Sequence, residues 1–361
     1  MTTQFYPLKI IDIRKETPDC ISLKFEIPEE LKPQFQFIPG QNITLKTIIN
    51  GEELRRSYSI CSIPEENEFR IAIKKMDKGL FSSYANTTLK PGDTIEVLPP
   101  SGRFFINPDS KNKKNYLAVA AGSGITPIIS IIKAVLKSEP ESSFTLIYGN
   151  KSRLSIIFKE ELESLKNKYI NRFSLHHFLS REKTDMELYH GRIDASKMET
   201  MEGKLFDLNS IDEVFLCGPE EMIFQVKKWM EEKGFPSKNV HFEIFISPGQ
   251  PVKAEKNDTV VTSVSDTDIQ SRVIIKIDGR ESEITLGYED KSILQAALDN
   301  GADLPFSCKG GVCATCRAKL LEGKVEMELN YALEDDELEQ GYILTCQAHP
   351  RTEVVRVSFD D

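Results

Sequence analysis

The sequence predicts three domains in series: a β-barrel, an α/β domain on a parallel sheet, and a small α+β domain. Three observations carry this. Residues 1–106 hold short β-rich runs punctuated by Pro39-Gly40, Asn50-Gly51 and Pro91-Gly92-Asp93, the spacing of a barrel. Residues 112–246 alternate strand-like runs with apolar helical ones, which implies a parallel sheet. Residues 247–271 then carry Pro248, Gly249 and Pro251 among polar residues, with no aromatic residue, before patterned sequence resumes. A chain of 361 residues exceeds one ordinary core. Domain boundaries are expected at 1–108, 109–246 and 272–361, with 247–271 a flexible linker spanning roughly 25–30 Å as a coil.

In the first domain, strands are expected at 8–13, 21–27, 42–47, 69–74 and 94–98. Within it lies Arg55-Arg56-Ser57-Tyr58-Ser59-Ile60. Its guanidinium can pair with a phosphate, Tyr58 can stack on a flat ring, and Ser59 can hydrogen-bond it. That set suits a flavin, and it equally suits an amphipathic strand with a surface arginine. Ile73-Lys74 follows, then Gly79-Leu80-Phe81-Ser82-Ser83, a glycine-led turn opening a helix. Helix N-termini bind phosphate through free N–H groups. Pro100-Ser101-Gly102-Arg103-Phe104 closes the domain.

The second domain starts with a strand at 116–121 that enters Gly122-Ser123-Gly124-Ile125-Thr126-Pro127 and a helix at 128–136. A strand at 144–148 leads to Gly149-Asn150 and a helix at 155–166. The strand at 173–179 ends in Ser180-Arg181-Glu182, and that at 213–217 ends in Gly218-Pro219 before a helix at 220–233. These glycine and polar signatures fall at strand carboxyl ends, where parallel sheets bind ligands. The Gly-x-Gly lacks the third glycine of a dinucleotide fingerprint, and a tight structural turn reads the same way.

The third domain opens with a strand at 273–277, a turn at Gly279 and a helix at 292–300; strands at 318–320 and 354–357 complete it. Its cysteines, Cys308, Cys313, Cys316 and Cys346, are spaced C-x4-C-x2-C-x29-C. Four thiolates at these offsets match a 2Fe-2S cluster. A zinc site or a disulfide pair are the alternatives, but structural zinc usually draws on two knuckles or on histidines. Gly310 and Gly311 are expected to let the loop curl and to turn N–H groups toward sulfur.

No apolar stretch reaches the roughly 18 residues that span a bilayer. Residues 1–8 lack the basic start and apolar core of a secretion signal, so seven cysteines predict a reducing cytoplasm. Cys20 and Cys61 are expected to be small buried residues. His176, His177, His190, His241 and His349 form no triad or metal set. The net charge is −10, and residues 272–361 contribute −8 of it, from 10 basic and 18 acidic residues. This balance disfavours nucleic-acid binding. The run Glu334-Asp335-Asp336-Glu337 suits either a solvated helix face or a docking surface for a basic protein.

Taken in order, R-x-Y-S, G-x-x-S, G-S-G-I-T-P, Y-G-N, S-R-E and C-G-P resemble the ferredoxin–NADP reductase superfamily. With the plant-type cysteine spacing, nearly the whole chain resembles the reductase components of oxygenases, nearest the branch that serves phenylacetyl-CoA epoxidation. The resemblance implies a β-barrel FAD domain, an NAD(P) domain and a β-grasp ferredoxin domain. It implies that Arg56, Ser57, Tyr58 and Ser59 hold FAD, with Ile73, Lys74, Gly79, Phe81 and Ser82 at its phosphates. Gly122, Ser123, Gly124, Ile125 and Thr126 would lie along the nicotinamide nucleotide, with Cys217, Gly218 and Pro219 beside its ring. Tyr58, Ser59, Thr126 and Cys217 would flank the reacting groups, and Glu243 would end the domain near the flavin. Ser180 and Arg181 match the 2′-phosphate site, which favours NADPH over NADH. Lys151, next to Asn150, stands where relatives often carry arginine. The implied path runs from NADPH through FAD and the cluster to an oxygenase, hydroxylase or desaturase component. A free-standing diaphorase and a non-enzymatic redox scaffold are the rival readings.

Overall fold

The computed structural model describes residues 4–245 and 270–360, so the expected linker lies almost wholly outside the described residues. Contacts define two compact units, one holding residues 6–54 and 58–245 and the other, among the described residues, 4–5, 55–57 and 270–360.

The first unit begins with β1 (Tyr6–Thr17), β2 (Cys20–Glu26), β3 (Asn42–Ile49), β4 (Glu52–Ser59), β5 (Phe69–Lys74) and β6 (Thr94–Val97). They order as β4-β3-β6-β1-β2-β5. Just past β4, Ile60 bridges Ile71, and the Cys61 N–H donates to Arg70 O at 2.9 Å. The two ends of the sheet therefore meet, and the barrel closes. Strand alternation drives this closure: Leu8, Ile10, Leu23, Ile43, Leu45, Ile71 and Ile73 point inward and are fully buried. The β3–β4 hairpin turns at Asn50-Gly51, with φ of 54° and 82°, the geometry that matches strand twist. Helix α1 (Leu80–Thr87) buries Phe81 and Ala85 against the barrel. Cys20 and Cys61 are buried, and burial pushes the Cys61 thiol up to about 12.

The same unit continues into β7 (Asn115–Ala121), β8 (Ser143–Asn150), β9 (Phe173–Leu179), β10 (Glu213–Gly218) and β11 (Val240–Ile244). They form a parallel sheet ordered β11-β10-β7-β8-β9. Its helices are α2 (Ile125–Ser138), α3 (Lys159–Lys168), α4 (Ala195–Met201) and α5 (Glu220–Glu232). Helix α2 is buried at every position from Ile125 to Leu136, as an all-round apolar helix should be. Helix α3 starts later than the sequence suggests. The buried Phe158 takes a left-handed φ of 59° and holds the chain out of the helix until Lys159.

The C-terminal unit contains β12 (Gln270–Ile277), β13 (Arg280–Gly287), α6 (Ile293–Asp299), β14 (Arg317–Glu322), β15 (Val325–Met327), α7 (Asp335–Glu339), β16 (Tyr342–Leu344), β17 (Ala348–Pro350) and β18 (Val354–Ser358). Its main sheet is mixed, ordered β13-β12-β18-β14-β16, with β12 parallel to β18. Ser292 caps α6 by accepting from Gln295 N. The acidic run is not a purely solvated face, because Glu337 in α7 is buried and paired with Arg317.

Candidate redox site

The glycine turn after β7 is built by exclusion. A Cβ on Gly124 would lie 2.1 Å from Cys217 O and 2.8 Å from Gly218 N. The turn therefore lies directly on the end of β10, and no side chain fits between them. Gly122 takes a φ of 55°, a conformation glycine adopts at little cost. The buried Tyr148 donates its hydroxyl to Gly122 O at 2.9 Å, and Thr126 Oγ1 donates to Ser123 O at 3.0 Å. The sequence motifs G-S-G-I-T-P and C-G-P thus form one surface at the carboxyl edge of the sheet. Ile125 is fully buried and supports the turn from below. Burial, with Glu243 adding to it, pushes the Cys217 thiol well up, so Cys217 is a neutral thiol.

The barrel reaches this turn from β5. Lys74 Nζ lies 3.7 Å from where a Gly122 Cβ would stand and 3.8 Å from Asp19. On β4, Arg56 and Tyr58 share one face and Ser57 and Ser59 the other. Arg56 Nη1 donates to Arg55 O at 2.7 Å. The Tyr58 ring lies 5.7 Å from that of Phe81. Gly79 precedes α1, and a Cβ there would lie 2.4 Å from Ser82 Oγ, so Ser82 would have to shift. Ser82 Oγ in turn accepts from Met76 N at 3.0 Å, shaping a loop at the helix start. Ile73 and Phe81 point into the barrel core, so their main chain is what they can offer a ligand.

Strand β11 adds a residue from the far side. Ser59 Oγ donates to Glu243 Oε2 at 3.3 Å, and Asn42 Nδ2 donates to Glu243 Oε1 at 3.4 Å. Asn42 carries no sequence signal of its own. Its role comes from tertiary proximity to a residue 201 positions away.

At the ends of β8 and β9, Asn150, Lys151, Ser180 and Arg181 come together. Ser180 N donates to Asn150 O and Arg181 N to Lys151 O, each at 2.9 Å. Asn150 is buried, and neither its Oδ1 nor its Nδ2 has a partner among the described residues. Lys151 and Arg181 are exposed, and their charged ends likewise meet no partner there. Arg153 differs, because Glu182 accepts from its backbone at 2.8 Å and pairs with Nε at 3.3 Å.

In the C-terminal unit the cysteines form two pairs, Cys308 with Cys313 and Cys316 with Cys346. The hydrogen bond from Cys313 pulls Cys308 down to about 7 against the cost of burial, helped by the Gly310 and Val312 amides. Cys346 is lowered by Cys316 in the same way, with Gly311 N–H contributing. Gly310 N donates to Cys308 Sγ at 3.3 Å. The curl differs from expectation: Gly311 takes a positive φ of 74°, but Lys309 and Ala314 supply the other left-handed residues, and Gly310 does not. Two thiol pairs lined with amides fit a binuclear cluster.

Three family models match in the same order. They are an oxidoreductase FAD-binding domain at residues 7–106, an oxidoreductase NAD-binding domain at 118–228, and a 2Fe-2S iron–sulfur cluster binding domain at 275–351. The chain is 45% identical to a subunit of the 1,2-phenylacetyl-CoA epoxidase of Escherichia coli K12, across 99% of this chain and 98% of that protein. The chain belongs to the family of FAD and 2Fe-2S reductases. A 3-ketosteroid-9-alpha-monooxygenase ferredoxin reductase component of Rhodococcus rhodochrous is 33% identical, across 98% of this chain and 96% of that one. The solved phthalate dioxygenase reductase, 24% identical, matches 99% of this chain and 100% of its own with a TM-score of 0.58, and shares the fold.

The reductase is an NAD(P)H-dependent electron-transfer flavoprotein carrying FAD and a 2Fe-2S cluster. Its residues fit both groups: Gly79 at the start of α1 leaves main chain that a phosphate could approach, and the paired thiols suit two irons. No helix among the described residues is long and apolar enough to cross a membrane.

Proposed function

We propose that the reductase draws electrons from NADPH and passes them, in the cytoplasm, to the oxygenase component of a phenylacetyl-CoA epoxidase-type system. The acceptor rests on the near full-length identity to the Escherichia coli epoxidase protein. NADPH rests on Lys151 and Arg181, two cations unpartnered among the described residues and joined through a backbone hydrogen bond at the sheet edge. A guanidinium beside an ammonium suits a phosphate dianion, and the 2′-phosphate is what distinguishes NADPH from NADH.

The domain roles follow the expected boundaries: FAD at 1–108, NADPH at 109–246, a linker at 247–271 and the cluster at 272–361. Arg56, Ser57, Tyr58 and Ser59 hold the flavin ring and phosphate. Lys74, Gly79, Ser82 and the main chain of Ile73 and Phe81 receive the pyrophosphate. The turn Gly122–Gly124, with Ile125 and Thr126 after it, supports the nicotinamide nucleotide, and Cys217, Gly218 and Pro219 close over the ring. Asn150, Lys151, Ser180 and Arg181 take the adenosine end. Cys308, Cys313, Cys316 and Cys346 hold the cluster. FAD, when bound there, would supply the exchange between a two-electron hydride donor and a one-electron cluster. Ser59 and Glu243 hold a proton between Oγ and Oε2, within reach of the flavin strand.

Two measurements test this reading. Arg181→Ala should lower kcat/KM for NADPH at least tenfold and leave NADH nearly unchanged, a loss of about 1.4 kcal/mol; equal loss with both nucleotides contradicts the 2′-phosphate assignment. Mixing the reductase with the epoxidase catalytic components, phenylacetyl-CoA, NADPH and dioxygen should form epoxide in proportion to NADPH used. NADPH consumption without product would shift the acceptor to another oxygenase, a hydroxylase or a desaturase.

A further inference from the structure

Lys133 is a lysine where the helical pattern asks for an aliphatic side chain. It sits in α2 beside Ile129, Ile132 and Leu136 and is 7% exposed. A buried ammonium is costly unless it is paired. Its Nζ meets Glu66 Oε2 and Glu161 Oε1, each at 2.9 Å. The two carboxylates come from different places. Glu161 stands on α3, which packs on the same parallel sheet. Glu66 ends the short helical turn Pro64–Glu66, which follows β4 in the barrel.

A second contact lies one turn earlier. Ser130, fully buried, donates its hydroxyl to Ser62 O at 2.7 Å. Ser62 is itself fixed, because its hydroxyl donates to Glu68 O at 2.8 Å and accepts from Arg70 N at 3.1 Å. Helix α2 is thus fastened to the barrel at two points on one face. Both points lie close to the reacting segments. Ser130 is about 6 Å along the helix from Thr126, and Ser62 is about 10 Å along the chain from Ser59. A cavity of about 350 Å³, lined by Glu16, Glu66, Arg70, Lys133 and Glu161 among others, opens beside the contact and leaves room for a bulkier cation.

We propose that Ser130 and Lys133 are positioning residues that set the separation between the nicotinamide turn at the start of α2 and the flavin strand β4. The proposal rests on the assignment of those two segments made above. It separates the two carboxylates: Glu66 links Lys133 to the barrel, whereas Glu161 links it within the sheet. A contact that merely stabilised the fold would weight them alike.

The test uses full-length protein loaded with FAD and cluster, as Lys133→Met, Lys133→Arg, Glu66→Gln and Glu161→Gln. Anaerobic rapid mixing with NADPH reads the flavin-bleaching rate. Calorimetry with 2′,5′-ADP reads nucleotide affinity, and amide exchange reads residues 62–66 and 125–133. Lys133→Met and Glu66→Gln should slow bleaching about tenfold or more, since a misplacement near 1 Å can cost 10²-fold. Both should speed exchange at 62–66 and leave 2′,5′-ADP affinity and FAD content unchanged. Lys133→Arg should restore most of the rate, and Glu161→Gln should match wild type. Equal slowing by Glu66→Gln and Glu161→Gln, or no change of rate and exchange in Glu66→Gln, overturns this proposal alone. Wild-type protein that binds no 2′,5′-ADP overturns the nucleotide assignment and the proposal with it.

Discussion

Gly124 has no room for a Cβ, which would lie 2.1 Å from a backbone oxygen that cannot swing away. Gly124→Ala should therefore push the nicotinamide turn off β10. We expect NADPH oxidation to fall at least tenfold while FAD content, read from visible absorbance, stays near wild type; an unchanged rate would show that the turn can shift freely. At the cluster, Cys316 is buried and paired with Cys346. Cys316→Ser should abolish iron binding by metal analysis and stop cluster reduction, yet leave ferricyanide reduction through the flavin. Retention of two irons per chain would contradict the ligand assignment. These residues were legible in the sequence because glycine at tight turns and cysteine at fixed offsets follow from local geometry. Asn42 and Lys133 were not. An asparagine opening a strand and a lysine in an apolar helix acquire meaning through partners far away in sequence.

Elements show the same division. Strands buried along almost their whole length, such as β5 and β7, lie within a residue of where the pattern puts them. Strand β13 was missed because its first four residues are exposed and leave little periodicity, and α4 because its seven residues bury two methionines alone. Neighbouring strands also create electrostatics that no single strand displays. His177 on β9 faces Tyr148 across the β8–β9 pairing, with rings 5.8 Å apart. Neither of its ring nitrogens has a partner among the described residues, and burial pulls its pKa down to about 4. Below its unfolded value, about 6.5, the unfolded chain binds a proton that the folded chain refuses. Its contribution to stability is therefore full above that pH and is lost as pH falls toward 4. Thermal melts should show Tm declining through this window, and His177→Phe should make the decline shallower. An unchanged slope would mean that the imidazole protonates freely in the folded sheet.

The whole molecule joins a hydride-accepting half to a one-electron half. The barrel and the parallel sheet share one compact unit, and their junction brings Ser59, Lys74, the Gly122–Gly124 turn and Glu243 together. The C-terminal unit carries the cluster loop and −8 of the net charge of −10. A negative surface of this size would steer encounters if the acceptor were basic. The order of the three domains was readable from composition and punctuation, since each change of period marks a change of architecture. The central claim is that electrons entering as hydride leave through the cluster. Anaerobic titration with NADPH, followed by flavin absorbance and by EPR of the reduced 2Fe-2S cluster, tests it most directly. The account predicts flavin bleaching accompanied by the cluster signal, reached faster with NADPH than with NADH. Full flavin bleaching with no cluster signal would contradict it.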